Sequence, residues 1–191
     1  TIAAGLAVSG TTSFVIPVTP TLAAASPAVN TATVTGGGTD LPGGSGLIGK
    51  ISLSFDAKKV VFDFRQDPGA GFRIWEVNTD GTGLRQVSFP PPDETEKVAR
   101  WNPSWHTDDI HPCYLPDGDI IFSSTRSEHT VLCGGSSHLV APGLHRMRPD
   151  GAGLVQLTRS PVSEFCPVIL DDGRVMYHRW EYIDKGARVA K

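Results

Sequence analysis

The side chains with the most chemical potential in this chain are two histidines and two cysteines. His111 and Cys113 stand two residues apart on a strand-like run, while Cys133 and His138 fall in an insertion reading SEHTVLCGGSSHLVAPG. Imidazole nitrogen and thiolate sulfur are the donors that zinc, copper and iron favour. Residues two apart on a strand share a face, and a long loop inside a regular unit commonly carries function. His111, Cys113, Cys133 and His138 therefore form a candidate metal site for zinc or another transition metal, with His106, Asp108 and Asp109 just upstream. The cysteines also support a simpler alternative. Cys113, Cys133 and Cys166 are the only three in the chain. In an oxidising compartment, one disulfide and one free thiol would account for them, and the spacing does not choose the pair.

Other chemistries find less support. GGSSH (Gly134 to His138) does not form a G-x-S-x-G elbow on a strand-to-helix turn, as a hydrolase nucleophile requires. The pairs Asp108/Asp109 and Asp171/Asp172 sit at turn positions and read as turn formers or caps rather than acid–base pairs. Gly36 to Gly38 lead into no P-loop lysine. Trp75, Trp101, Trp105 and Trp180 are expected to fill gaps between sheets. The alternative is a rim platform for a ligand, for which WNPSWH (Trp101 to His106) is the best placed.

These residues must be positioned by a repeating framework. TDGTGLRQVS (Thr79 to Ser88) recurs as PDGAGLVQLT (Pro149 to Thr158), and HPCYLPDGDIIFSS (His111 to Ser124) recurs as CPVILDDGRVMYHR (Cys166 to Arg179). SLSFDAKKVVFDF (Ser52 to Phe64) is a degenerate copy of the second unit. Each unit is two short strands about an Asp-Gly-like turn, which predicts antiparallel hairpins closed by two-residue type I′ turns. Ile120, Ile121 and Phe122 make the continuous apolar run of a strand covered on both faces. Two hairpins make a four-stranded antiparallel sheet, and successive sheets make propeller blades. The predicted fold is all-β, a partial β-propeller with blades at about 51–88, 110–158 and 165–191 within a domain spanning 46–191. Such a stack cannot bury both terminal sheet faces alone, so other blades or subunits are expected partners, and self-association through exposed edges is expected in isolation.

Composition agrees. There are 21 glycines and 15 prolines, which favours turns and short strands. The formal net charge is −3, with Lys and Arg scattered, so nucleic acid is not an expected partner. Residues 1–45 carry an uncharged Ala/Thr-rich stretch ending in LAAASPA and then GGGTDLPGGSG. They read as a disordered leader, either a signal-peptide remnant or a flexible linker, and the stretch is too interrupted to span a membrane. The chain opens on Thr1 and stops at Lys191, and both ends look cut.

The runs LPDG…IIF (Leu115 to Phe122) and DGAGLVQLT (Asp150 to Thr158) resemble TolB-type, WD-like propeller repeats. DDIHPCYLPDGDIIFSSTR, LHRMRPDGAGLVQLT and DDGRVMYHRWEY are similar to the propeller region of the hydrazine synthase alpha subunit family. The resemblance implies a periplasmic or secreted protein. Its redox chemistry would need c-type haem bound at C-x-x-C-H, a signature missing from these 191 residues. Haem would enter only through domains outside the sequence, so no cofactor is expected within it. Three functions follow as expectations. The first is a non-catalytic scaffold or interaction module. The second is the propeller portion of a haem redox enzyme. The third is the gating propeller of a serine peptidase with its hydrolase domain elsewhere.

Overall fold

The computed structural model describes residues 46–101, 106–127 and 140–180. Strands β1 (Leu47–Leu53), β2 (Lys59–Arg65), β3 (Arg73–Asn78) and β4 (Arg85–Gln86) pair antiparallel in chain order. β5 (Asp109–Tyr114), β6 (Ile120–Ser124), β7 (Gly143–Met147) and β8 (Val155–Gln156) repeat that order. β9 (Glu164–Ile169) and β10 (Val175–Arg179) form a third, two-stranded sheet among the described residues. These are the four-stranded antiparallel blades that the repeats predict, two of them complete.

Alternation along the strands creates the stack. Val61, Ile74 and Val87 leave one face of the first blade and meet Tyr114, Ile120, Phe122 and Met147 from the second, all at most 3% exposed. On the opposite face of the first blade, Val60, Phe62, Phe64, Trp75 and Val77 pack together, with Phe64 edge-on to Trp75 at 5.9 Å. Ile120, Ile121 and Phe122 are at most 1% exposed, as expected of a strand covered on both sides.

The turns differ from the expected type. Only glycine has positive φ in the Asp-Gly pairs, whereas type I′ requires it at both central residues. Instead, Gly118 N–H returns to Leu115 O at 2.9 Å and Leu115 N–H reaches Asp119 O at 2.7 Å. This is a three-residue loop: a type I turn, for which Pro116 presets φ, then a left-handed Gly118 at φ 90. Arg148–Gly151 and Leu170–Gly173 close in the same way. The aspartate before each glycine accepts the amide two residues on, as Asp117 does from Asp119 at 3.1 Å and Asp150 from Ala152 at 2.9 Å. A Cβ at Gly118 would meet nothing within 4 Å, so Gly118→Ala tests backbone strain alone. It is expected to cost about 1–2 kcal/mol in urea unfolding. An unchanged midpoint would refute the strained turn.

A helix, α1 (Glu94–Trp101), lies between β4 and β5, an element the repeats do not predict. Asp93 starts it. Its carbonyl accepts Lys97 N–H at 3.0 Å and its carboxylate meets Lys97 Nζ at 2.8 Å. Glu94 and Glu96 place negative charge in the first turn.

Candidate functional site

β1, β5 and β9 pack side by side, each at one edge of its own sheet, and β5 and β9 carry His111, Cys113 and Cys166. The pairing of β5 with β6 slips between Ile110 and Cys113, and that of β9 with β10 slips at the matching place, so each strand carries a bulge. His111 and Cys166 hold the same position in their blades, each directly before a proline, with φ of 58 and 52. The bulge interrupts the strand alternation that would carry His111 and Cys113 to one face. Cys113 and Cys166 are free thiols, both half-buried. Cys133 and His138 lie outside the described residues, as do Trp105 and the side chain of Trp101. Among the described residues, no group of three or more His, Cys, Asp or Glu is arranged to hold a metal.

The structure places around His111 several groups that the sequence analysis does not single out. Its ring lies edge-on to Phe165 at 6.3 Å, and Nδ1 is buried with no hydrogen-bond partner among the described residues. Burial first, then the Lys50 and His178 charges, hold its pKa below the usual imidazole value. Lys50, its counterpart in β1, sends Nζ to Pro167 O at 2.6 Å, reaching from the first blade to the third. Between them sits Asp63, 2% exposed. It accepts the Lys50 amide at 2.6 Å, and the nearby His111 backbone of the second blade also favours its charged form, so one carboxylate faces two blades. Burial pushes its pKa up to about 6, against that pull. A Cβ on Gly49 would come within 2.1 Å of the Asp63 carboxylate, so that approach requires glycine.

A second polar centre lies where the hairpin turns converge. Glu76, 2% exposed, receives Lys59 Nζ at 2.8 Å and Arg85 Nη2 at 2.8 Å on one oxygen, and the Tyr114 hydroxyl at 2.8 Å on the other. Burial opposes its ionisation, but these three donors together hold its pKa below the usual carboxylate value. Burial and then the Glu76 hydrogen bond push the Tyr114 phenol well up. Arg85 also reaches Pro149 O at 2.6 Å in the second blade. Above this floor opens a cavity of about 380 Å³, walled by the turns at Ser54–Asp56 and Leu115–Gly118 and by Pro149. Phe55 stands on its lip, 65% exposed.

Two further pairs tie the connections down. Arg73 grips Glu94 of α1 through Nη2 at 2.8 and 3.1 Å. Asp109 corrects the turn-former reading: it opens β5 fully buried, with Arg126 at 2.9 and 2.5 Å and Ser124 Oγ at 2.7 Å. Asp108 instead accepts the Phe72 amide at 2.9 Å, from the first blade. Asp172 is a turn residue as read, accepting the Arg174 amide at 3.0 Å. Trp75 is buried as expected, though on the outer face of the first blade, and Trp180 is 44% exposed.

No family model matches the chain. No curated protein matches it either. Among solved structures, a TolB-like protein of Agrobacterium tumefaciens superposes with a TM-score of 0.50 at 19% identity, over 71% of this chain and 39% of its own. Hydrazine synthase of Kuenenia stuttgartiensis superposes with a TM-score of 0.51 at 19% identity, over 68% of this chain and 21% of its own. The chain thus spans about two-fifths and one-fifth of these proteins. The likeness identifies the fold as a partial TolB-like β-propeller.

Proposed function

We propose that this chain is a non-catalytic propeller scaffold, a protein-interaction module of an extracytoplasmic protein whose blade rim meets the partner. The observation that carries this reading is Phe55, a large aromatic 65% exposed on the lip of the turn-face cavity. An exposed aromatic beside a concave surface is the usual anchor of a binding interface. Lys59 and Arg85, each about two-fifths exposed, share one Glu76 oxygen beneath it and supply donors for a polar rim. Among the described residues no helix is long and apolar enough to cross a membrane.

Peptides selected from a random display library against the whole chain test the reading. They are expected to weaken at least about tenfold on Phe55→Ala, a loss of about 1.4 kcal/mol. The variant's own stability should move by no more than about 0.5 kcal/mol, because the side chain is exposed. Selected peptides indifferent to Phe55→Ala would remove this rim from consideration.

The likeness to hydrazine synthase favours a second reading, in which the chain is the propeller portion of a haem-containing redox enzyme. Covalent haem on the intact gene product, seen by peroxidase staining of a denaturing gel, would establish it over the scaffold. Unstained product would retire it.

A further inference from the structure

The links between neighbouring sheets are built differently. From β8 to β9 the chain needs only residues 157–163, and Val162 and Ser163 of that link are 9% and 3% exposed. From β4 to β5 it runs through residues 87–108 and carries Phe89, Pro90, Pro91 and Pro92 in succession before α1. The repeat is therefore continued in the second blade without any such run. Phe89 is 61% exposed, Pro90 and Pro92 are exposed, and Pro91 is half-buried. A large aromatic and two prolines between two complete blades thus stay in water after folding.

Their conformation follows from their types. Proline holds φ at about −65° and has no N–H, so residues 90–92 cannot join a strand ladder. Phe89, Pro90 and Pro91 each precede a proline, which pushes them to extended or polyproline II backbone. That helix has about three residues per turn, so Phe89 and Pro92 share one edge, Pro90 takes the second and Pro91 the third. The exposure matches, because the Pro91 edge alone turns to the protein. Anchors hold both ends. Ser88 N–H reaches Ile74 O at 3.2 Å, and Ser88 Oγ accepts Ile74 N–H at 2.8 Å. The Phe89 carbonyl accepts Arg126 Nη2, and Pro91 O accepts Glu94 N–H at 3.0 Å. None of these bonds uses the Phe89 ring or a proline ring, so the ridge is presented on a segment with little freedom left to lose. Arg126 follows the end of β6 away from the turn between Leu115 and Asp119, which places the ridge at the opposite strand ends from the Phe55 cavity.

We propose that residues 89–92 are a polyproline II ligand for a partner protein whose groove is lined by aromatic side chains and flanked by basic ones. Grooves of that kind take a proline ridge already set in this helix, at a low cost in ordering. Phe89 anchors the ridge, and Pro90 and Pro92 present its two outward edges. The basic flank answers the acidic first turn of α1, which follows directly. Glu94 is taken by Arg73, and Asp93, 52% exposed, shares its charge with Lys97. Glu96 is exposed and leaves the turn with surplus negative charge. The proposal extends the interaction-module reading to a second surface. Because the ridge and the Phe55 lip stand at opposite strand ends, either can fail alone.

The probe is a purified EVH1 domain with lysines beside its aromatic groove, and the control is the same domain with those lysines replaced by glutamate. In calorimetric titration the whole chain is expected to bind the first saturably and the second at least about fivefold more weakly. Phe89→Ala should weaken binding at least about tenfold. Pro90→Gly keeps the position open but frees φ, and should weaken it at least about threefold. Met176→Ala, at an exposed apolar residue of the third sheet, should leave binding unchanged. Phe89 and Met176 are both more than half exposed, so both alanine variants should melt with the parent. Four results would overturn the proposal: no saturable binding, equal affinity for the two domains, equal effects of Phe89→Ala and Met176→Ala, or a Pro90→Gly chain that binds as the parent does. The last would leave Phe89 as an apolar patch with no polyproline ligand around it.

Discussion

Glu76→Ala is expected to destabilise the chain by about 3–5 kcal/mol, the usual cost of removing one partner from a buried ionic network. The carboxylate is 2% exposed and receives Lys59, Arg85 and Tyr114. Lys59 and Arg85 are half exposed and can turn to water once it is gone. Tyr114 is 3% exposed and cannot, so its hydroxyl is left buried without an acceptor. The three bonds therefore contribute unequally, and a double-mutant cycle separates them. Tyr114→Phe alone should cost about 1–3 kcal/mol, because it strands one Glu76 oxygen. In the Glu76→Ala background it should cost far less, giving a coupling of about 1–3 kcal/mol in urea unfolding. Additive effects would mean that the phenol and carboxylate do not interact. The network also has a pH signature. A carboxylate held below its unfolded pKa contributes stability that is lost as pH falls through its folded value, so the Glu76→Ala deficit should shrink at strongly acidic pH.

The framework is largely legible in the sequence because it rests on local rules. Recurring Asp-Gly turns and the apolar runs VVF, IIF and VMY follow from turn chemistry and strand covering, which are short-range properties. The turn type is not, because Asp-Gly alone suggests a two-residue loop. Proline two places before the glycine, in LPDG and RPDG, is the signal for the three-residue form actually found. Helix α1 escapes the sequence reading because a run of prolines reads as a breaker, although proline followed by Asp93 and an acidic turn is a sound helix start. The site is much less legible. Glu76, Tyr114, Lys59 and Arg85 come from four strands, and no spacing links them until the blades stack. Asp63 is hidden for a related reason. In its copy of the repeat, Phe62–Asp63 stands where Phe122–Ser123 and Tyr177–His178 stand in the others, and an aspartate at a buried repeat position is the available clue. What the clue lacks is the bulge, which alone brings the Lys50 amide and the His111 backbone to one carboxylate.

That carboxylate gives the molecule its clearest expected pH dependence. Asp63 moves from an ordinary value of 3.8 up to about 6 on folding, so between about pH 4 and 6 the folded state holds a proton that the unfolded chain has released. A raised acid pKa means stability is fully present below the unfolded value and declines as pH rises through the folded one. A rise of that size corresponds to at most about 3 kcal/mol lost across that window. His111 and His145 act in the opposite sense. Both are held below the usual imidazole value, chiefly by burial, so each adds stability as pH rises through its unfolded value and partly masks the fall. Asp63→Asn isolates the carboxylate, because asparagine copies the protonated form in shape, keeps an acceptor for one amide and cannot ionise. Urea unfolding of parent and variant at half-unit steps from pH 4 to 7 should show the variant gaining on the parent by up to about 3 kcal/mol, most of it below pH 6, with the histidine slopes cancelling in the difference. A flat difference would mean that the Lys50 amide and the His111 backbone outweigh burial and keep Asp63 ionised throughout. The carboxylate facing the first two blades would then be charged at every pH in that range.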